Sequence, residues 1–513
     1  MLVPQLLYGG GRLPQPFLNG FSFRLRSNPR DDTTPPLPVD ALRADKRPAV
    51  SPRRPLYVAV LAAYLGTMTL GFAITYSSPA LPDIRPKMNL TIDDGAWFGS
   101  LVKCGSIFGG LLAGPIMNMV GRRTTLFVSC GWFLAGWLCI IFSKSIPLLF
   151  TGRALTGVAV GIVAPAVPVY ISEICPSHIR GLLNTGSNVA LFCGMLITYV
   201  LGKWLNYQNL ALALMAPTVL MAVLLFWTKE SPRWLIQKGR RGAALDSIVF
   251  YQGQQGKKEL AAIEESLCGT EHFRLRDLAI PYIYRPFLCM LLVMFVQQSS
   301  VVTVIVVYTY DIFRDAGTSM APEDCSIIIG VVQVAVVAVA TVLTDRVGRK
   351  ILLLVSTFGT SMCLFLFGYS FYLKQHSPDT FSMSYTWLPV VSMGMMFVAF
   401  NVGMSHLPWV LLGEMLPLRV KGFATGFCTS FSFGYSFLLI KEFFKLQLLV
   451  GVAASYWLFG VLLLVGCVLF GIFIPETKQK TLEEIEVLFG RRMGDFAGDA
   501  VVSKSNRMDS ISL

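Results

Sequence analysis

The sequence predicts an all-α membrane protein in which twelve transmembrane helices form two six-helix bundles. Of its 513 residues, 54% are hydrophobic and only 14% are charged, whereas a soluble protein carries about 25% charged residues. A basic loop at Asp345–Lys350 is partly copied at Asn118–Arg123, which indicates two related membrane-embedded halves. Apolar runs long enough to cross a bilayer recur at roughly 57–80, 96–117, 124–142, 149–171, 182–202, 208–227, 286–308, 326–344, 351–373, 385–412, 422–443 and 449–474.

These runs divide the chain into five regions. Residues 1–55 are rich in Pro and Arg and predict a disordered cytoplasmic tail. Residues 56–227 and 286–474 hold six runs each and form the two bundles. The loop at 228–285 carries ten basic residues and helix-favouring stretches, so it predicts a small cytoplasmic helical subdomain. Residues 475–513 form a second cytoplasmic tail.

The net charge of +13 follows the predicted topology and gives no indication of nucleic-acid binding. If both termini are cytoplasmic, the tails and inner loops hold 33 of the 43 Lys and Arg residues and the outer loops hold 8, as the positive-inside rule requires. The sequon Asn89-Leu90-Thr91 then falls in the first outer loop, where Asn89 is predicted to be glycosylated. We expect a multi-pass plasma-membrane protein, while Leu6-Leu7 leaves a lysosomal or endosomal membrane open.

Enzyme chemistry finds no support in the sequence. The eleven cysteines lie mostly inside predicted spans and show neither a disulfide framework nor zinc-ligand spacing. There is no Walker loop, no metal-ligand cluster and no nucleophile–base spacing. We therefore expect a monomeric protein that needs no cofactor or metal and whose partners are a small molecule and the lipid bilayer.

Five motifs occur in order on the expected spans: Pro168–Pro176 with Arg180-Gly181, Glu230–Leu235, Gln297-Gln298, Pro408-Trp409 with Glu414, and Pro475–Lys478. Together they resemble the sugar porter family of the major facilitator superfamily over about residues 55–490. Tyr76–Ala80, Gln333 and Val420–Gly422 are similar to the branch that holds intracellular-type glucose transporters and arthropod trehalose transporters. The resemblance implies the major facilitator fold and facilitative sugar transport.

Charged residues of both signs cluster at the cytoplasmic span ends of both halves. We predict that they pair between the bundles when the inner side is closed and act as a gate; the alternative is that they anchor span ends to lipid headgroups. Asn118-Met119 replaces an expected acidic–basic pair in the first-half loop. This predicts that the first-half part of the gate is weaker and that the equilibrium is shifted toward the inward-open state. The predicted gate residues are Arg122, Arg123, Glu173, Arg180, Glu230, Arg233, Asp345, Arg346, Arg349, Glu414 and Glu476.

Polar residues inside the spans are the candidate substrate site, because they are costly in a membrane and amides offer both a donor and an acceptor to sugar hydroxyls. For any single amide the alternative is an interhelical hydrogen bond. The resemblance places Gln297, Gln298 and Trp409 at the sugar site. The full predicted set is Asn188, Gln297, Gln298, Thr303, Gln333, Asn401 and Trp409.

Several positions depart from the family pattern and argue for an altered substrate or slow turnover. Val301 stands where the pattern has a flexible glycine, and Ser432-Phe433 stands where it has Asn-Trp. Lys103 lies within a span, where it either snorkels outward or places a charge in the cavity. Ala73 stands where proton-coupled relatives have an acidic residue, which predicts uncoupled transport.

The leading hypothesis is a facilitative carrier of a hexose or of a disaccharide such as trehalose. The first alternative is a non-transporting nutrient sensor on the same scaffold. It is motivated by the altered seventh span, at 286–308, and by Asn118-Met119. The second is a carrier of another polar organic solute, motivated by Lys103 and His406.

Overall fold

The computed structural model describes residues 54–253, 280–417, 420–478, 484 and 487–490, with backbone alone at 177–178, 341–346 and 383. The predicted N-terminal tail, Leu6-Leu7, most of the C-terminal tail and the side chains of Asp345 and Arg346 therefore lie outside the described residues. Eleven helical segments of the described residues are long and apolar enough to cross a membrane, counting Leu388–Met415 as one segment.

The first half contains six spanning helices and one short outer helix. They are α1 (Arg54–Thr75), α2 (Ser77–Met88), α3 (Ile92–Val120), α4 (Arg122–Ile141), α5 (Ile146–Ile174), α6 (Ser177–Gly202) and α7 (Tyr207–Phe226). The first predicted span ends earlier than expected, at Thr75, and the chain continues as α2, which holds Pro82 and Pro86. Two short helices follow, α8 (Pro232–Gln237) and α9 (Arg241–Gln252), where a helical subdomain is predicted.

The second half contains two spans that are interrupted. Besides the short helical turns Pro378–Thr380 and Phe381–Tyr385, its helices are α10 (Pro281–Ser299), α11 (Val302–Val307), α12 (Thr309–Ala316), α13 (Pro322–Val347), α14 (Arg349–His376), α15 (Leu388–Val402), α16 (Leu407–Met415), α17 (Lys421–Val450) and α18 (Val452–Phe473). The predicted span at 286–308 consists of α10 and α11 with a break at Ser300-Val301. The predicted span at 385–412 breaks at 403–406, between α15 and α16. Broken helices of this kind line the central sites of secondary transporters.

Close helix packing fixes the orientation of α3. A Cβ on Gly105 would lie 2.2 Å from the backbone oxygen of Ala154, so only glycine lets α3 approach α5 this closely. The opposite face of α3 packs against α17, and α6 packs against α13. These two helix pairs are the most extensive contacts between the halves.

The two ends of the molecule differ in how the halves meet. We call the end with Arg122 and Arg349 the basic end. At the other end, Arg85 pairs with Asp311 at 2.8 Å, and Lys203 pairs with Asp324. Lys445 lies 3.6 Å from Asp93, and the Tyr310 N–H donates to Ser78 Oγ at 3.1 Å. All four contacts join the first half to the second, so the halves are closed against each other opposite the basic end.

Candidate functional site

A carboxylate caps the start of α4 at the basic end. The Glu230 carboxylate accepts the backbone N–H groups of Arg122 and Arg123 at 2.7 and 2.9 Å. Arg122 Nη2 donates to Glu173 at 3.1 Å, and the Ser231 hydroxyl donates to the same carboxylate. A helix N-terminus favours negative charge and has free N–H groups, so Glu230 is held by the helix that it caps.

The second half repeats this arrangement at the start of α14. The Glu476 carboxylate accepts the backbone N–H groups of Arg349 and Lys350, each at 3.0 Å. The Arg349 side chain pairs with Glu414 at 3.4 Å, and the Thr477 hydroxyl donates to Glu414 at 2.7 Å. Burial acts to raise the pKa of Glu476, but the backbone N–H donors outweigh it and hold that pKa below its usual value.

Glycine is required immediately before each of these helices. Gly121 and Gly348 have φ values of +97° and +112°. A Cβ on Gly121 would lie 2.5 Å from an oxygen of Glu230, and one on Gly348 would lie 3.0 Å from an oxygen of Glu476. The duplicated loop is therefore a carboxylate-binding turn, and its Gly-Arg pair is its structural signature.

These ion pairs join residues of the same half. The sequence predicts pairing between the bundles when the inner side is closed, and in this structure the halves are closed at the opposite end instead. The first-half loop at Asn118–Arg123 has a further contact that the sequence did not predict. Trp234 Nε1 donates to the Asn118 backbone oxygen at 3.0 Å. Arg180 donates to the Cys175 backbone oxygen at 3.3 Å, and Arg233 is exposed.

Two adjacent buried glutamines, Gln297 and Gln298, lie just before the first break. Gln297 Nε2 donates to the backbone oxygen of Met404, at the break of the second interrupted span, at 2.8 Å. Gln298 Nε2 donates to Ser432 Oγ at 2.9 Å, and Gln298 Oε1 accepts the Thr303 hydroxyl at 3.0 Å. Gln297 thus ties the two breaks together, and Gln298 is positioned by two hydroxyls.

Three buried amides leave polar atoms without a partner. Gln297 Oε1 and both side-chain polar atoms of Gln333 and of Asn401 are buried and make no hydrogen bond within the described part of the chain. Buried polar groups are nearly always satisfied in folded proteins. Gln297 and Asn401 lie beside the two helix breaks, and Gln333 lies on α13. Unpaired donors and acceptors of this kind are what a polar ligand with several hydroxyls needs.

The remaining predicted residues are placed differently. Trp409 is 39% exposed, and its ring centroid lies 6.5 Å from that of Phe433. Asn188 on α6 is exposed and is not joined to the amides of the second half by any described hydrogen bond. Ser432 accepts a hydrogen bond from Gln298. From the sequence alone, Ser432 is only a departure from the family pattern. Its hydroxyl inside a span is the feature that could have indicated a role at the site.

Lys103 does not snorkel to the outer surface. Its side chain is 6% exposed, and its Nζ lies 5.3 Å from the centroid of the Phe433 ring in the second half. Such an ammonium–ring contact is attractive. Of the two expectations for Lys103, the structure favours a charge directed into the interface between the halves.

Val301 occupies a backbone conformation that disfavours its side chain. It has φ +59° and ψ 4°, the left-handed region, and its side chain is fully buried. A β-branched residue there is an outlier. The sequence predicts that Val301 stiffens the span at 286–308. The helix nevertheless breaks at this residue.

We expect Val301→Gly to be more stable than Val301→Ala. Both variants remove the isopropyl group, but alanine keeps the Cβ that makes the left-handed region unfavourable by about 1–2 kcal/mol. Elsewhere in a helix, glycine is less favourable than alanine by about 1 kcal/mol. Denaturant unfolding of both purified variants measures the difference, and an alanine variant that equals or exceeds the glycine variant would contradict strain at this position.

Comparison with known proteins places the chain in a family. The sequence profile of the family described as "Sugar (and other) transporter" matches residues 62–489. The facilitated trehalose transporter Tret1 of Polypedilum vanderplanki is 34% identical over 447 residues, which cover 84% of this chain and 88% of that protein. Tret1 of Anopheles gambiae is 32% identical over 447 residues, and this chain spans 56% of its length.

Solved structures share the fold. The proton:xylose symporter XylE of E. coli, bound to 6-bromo-6-deoxy-D-glucose, superposes with a TM-score of 0.71 at 23% identity, covering 85% of this chain and 99% of that one. The prediction of twelve helices in the major facilitator fold is thereby confirmed. The profile match along most of the chain and the curated relatives show that this protein belongs to the sugar transporter family.

Proposed function

We propose that this protein is an uncoupled carrier that moves a hexose or a disaccharide such as trehalose across a membrane by alternating access. The observation that carries the proposal is the set of unpaired buried amide atoms on Gln297 and Asn401 beside the two broken spans, with those of Gln333 on the neighbouring helix α13. Sugar hydroxyls both donate and accept, so they match amides. The names of the curated relatives, facilitated trehalose transporters, support a sugar as the solute.

The sugar would bind to the second half and be enclosed by the first. Gln297, Gln298, Gln333 and Asn401 would hydrogen-bond the hydroxyls, with Gln298 positioned by Thr303. Trp409 would pack on the ring face, because an aromatic face is apolar. Asn188 would join the site from α6 as the halves move.

The two basic-end clusters would brace each half as a rigid unit during the movement. Glu230 and Glu476 cap α4 and α14, while Glu173 and Glu414 hold the arginines that follow Gly121 and Gly348. We assign this end to the cytoplasm on the positive-inside rule. Asn89 is exposed at the opposite end, where a glycan on a plasma-membrane monomer would face outward.

Uncoupled transport is supported by the environment of Arg153. This arginine is fully buried, and its guanidinium donates to the Ala73 backbone oxygen at 2.9 Å, to Ser77 Oγ at 2.6 Å and to the Phe98 backbone oxygen at 3.3 Å. Neutral oxygens therefore accept the hydrogen bonds of the guanidinium. Ala73 has no carboxyl group that could carry a proton during transport.

Uptake of labelled glucose, fructose and trehalose by the purified protein in liposomes tests the proposal. We expect saturable uptake of one sugar, acceleration by the same sugar inside, and no accumulation above the external concentration. A Gln298→Ala/Trp409→Leu variant should lose the uptake. Accumulation that collapses with a protonophore would contradict uncoupled transport, and absence of uptake by folded protein would favour a sensor or another solute.

A further inference from the structure

Lys103 is a buried charge that the proposed site does not yet use. Its side chain is 6% exposed near the middle of α3. Its ammonium lies over the Phe433 ring, and no carboxylate of the described residues pairs with it. A cation inside a membrane without a counter-ion is costly and marks a functional site.

The packing of α3 fixes the direction of this side chain. Ile107 and Gly110 lie four and seven residues further along the helix, on the same face as Lys103. Ile107 lies 3.7 Å from the position of a Cβ on Gly434, and a Cβ on Gly110 would lie 3.9 Å from Phe433. Lys103 is therefore held toward α17 across the interface between the halves.

The ammonium and the amides share this interface. Lys103 Nζ lies 5.3 Å from the centroid of the Phe433 ring, whose other neighbour is Trp409 at 6.5 Å. Ser432, the residue before Phe433, accepts the hydrogen bond of Gln298. A ligand held by Gln298 and Trp409 therefore lies one aromatic side chain away from an uncompensated positive charge.

The charge balance of this region sets the charge of the ligand. Two other cations of the first half are buried, Arg122 and Arg153. Arg122 pairs with Glu173, and the guanidinium of Arg153 donates to a hydroxyl and two backbone oxygens. Among the described residues of the first half, Lys103 is therefore the buried cation whose polar atoms are available to a ligand. A carboxylate matches this single ammonium and accepts short charge-assisted hydrogen bonds from it, whereas a phosphate carries about −1.5 to −2, which is more than one ammonium pairs with.

We propose that Lys103 makes this site selective for a sugar that carries one carboxylate, such as a hexuronate, over the neutral hexose of the same size. The inference rests on the proposed function, because it assigns the substrate class of the same site. Lys103 binds the carboxylate, and the amides of the second half bind the hydroxyls.

Uptake of labelled glucuronate and glucose by the full-length protein in liposomes tests this. We expect glucuronate to half-saturate uptake at a concentration about tenfold lower than glucose, since a hydrogen bond to a charged group is stronger than a neutral one. Lys103→Met should remove the preference, and Lys103→Arg should retain it. Lys441→Met is the matched control, because Lys441 also stacks on an aromatic ring, Trp97, at 3.8 Å, and it should retain the preference.

A second measurement uses the unaltered protein, so it holds even if the Lys103 variants do not fold. An inside-positive potential set with valinomycin should concentrate glucuronate in the liposomes and leave glucose at equal concentrations. Glucose uptake without a preference for glucuronate would overturn the inference and leave the proposed function standing. Glucose 6-phosphate competing better than glucuronate would overturn the carboxylate assignment. Folded protein that takes up fructose or trehalose but not glucuronate would overturn the inference alone, and folded protein that takes up none of these sugars would overturn both proposals.

Discussion

Asp311→Ala is expected to open the end of the molecule opposite the basic end. Asp311 is 3% exposed and receives Arg85 from the first half at 2.8 Å. Removing one partner of a buried ion pair costs about 3–5 kcal/mol, and partial exposure of Arg85 reduces this to about 2 kcal/mol. That shifts the balance between closed and open states roughly thirtyfold. The other two ion pairs across this end are exposed, so each contributes about 0–1 kcal/mol.

A cysteine at position 78 reports this opening. Ser78 is 3% exposed and accepts the Tyr310 N–H from the other half, so a Ser78→Cys thiol is shielded while this end is closed. We expect a hydrophilic maleimide to label it at least tenfold faster in the Asp311→Ala background. Asp315→Ala is the matched control, since Asp315 is an exposed acid whose described ion pair, with Arg314, stays within the second half. Equal labelling in wild type and Asp311→Ala, or equally fast labelling in the control, would remove Asp311 from this role.

The spans were predictable from the sequence, but the breaks within them were not. Membrane thickness fixes the length of an apolar run, so twelve runs gave twelve spans. The break at Val301 opposes local preference, because a β-branched residue avoids positive φ. Tertiary contacts override that preference here, and the bond from Gln297 to the Met404 backbone oxygen, 2.8 Å long, ties this break to the other one.

The sequence predicts which charged groups lie at the basic end, but not which of them contact each other in this structure. Arg122 and Glu173 were both expected at the basic end, yet the pairing within one half depends on the turn at Gly121 and on Glu230 returning to cap α4. Hydropathy likewise leaves the direction of Lys103 open. That direction follows from Gly105, which presses the opposite face of α3 against α5.

Gln298→Ala is expected to weaken sugar binding by about thirtyfold or more. The Gln298 amide gives one N–H to Ser432 and accepts one O–H from Thr303, so one N–H and one lone pair remain for the ligand. Each lost hydrogen bond contributes about 0.5–1.5 kcal/mol, and each hydroxyl left unsatisfied adds about 1–3 kcal/mol. Half-saturation concentrations of sugar uptake in liposomes, together with direct titration of the purified protein, measure the change.

Ser432 and Thr303 act through Gln298, which a double-mutant cycle detects. Ser432→Ala alone should weaken binding by a few-fold, because the Gln298 side chain loses one of the two hydrogen bonds that position it. In the Gln298→Ala background the same substitution should have almost no effect, since residues in one hydrogen-bond network are coupled. Ser392→Ala is the matched control: this buried hydroxyl bonds to backbone oxygens of its own helix, and its loss should leave binding unchanged. Additive effects of Ser432 and Gln298 would mean that Ser432 reaches the sugar independently, and its hydroxyl would then count as a ligand-binding group instead of a positioning one.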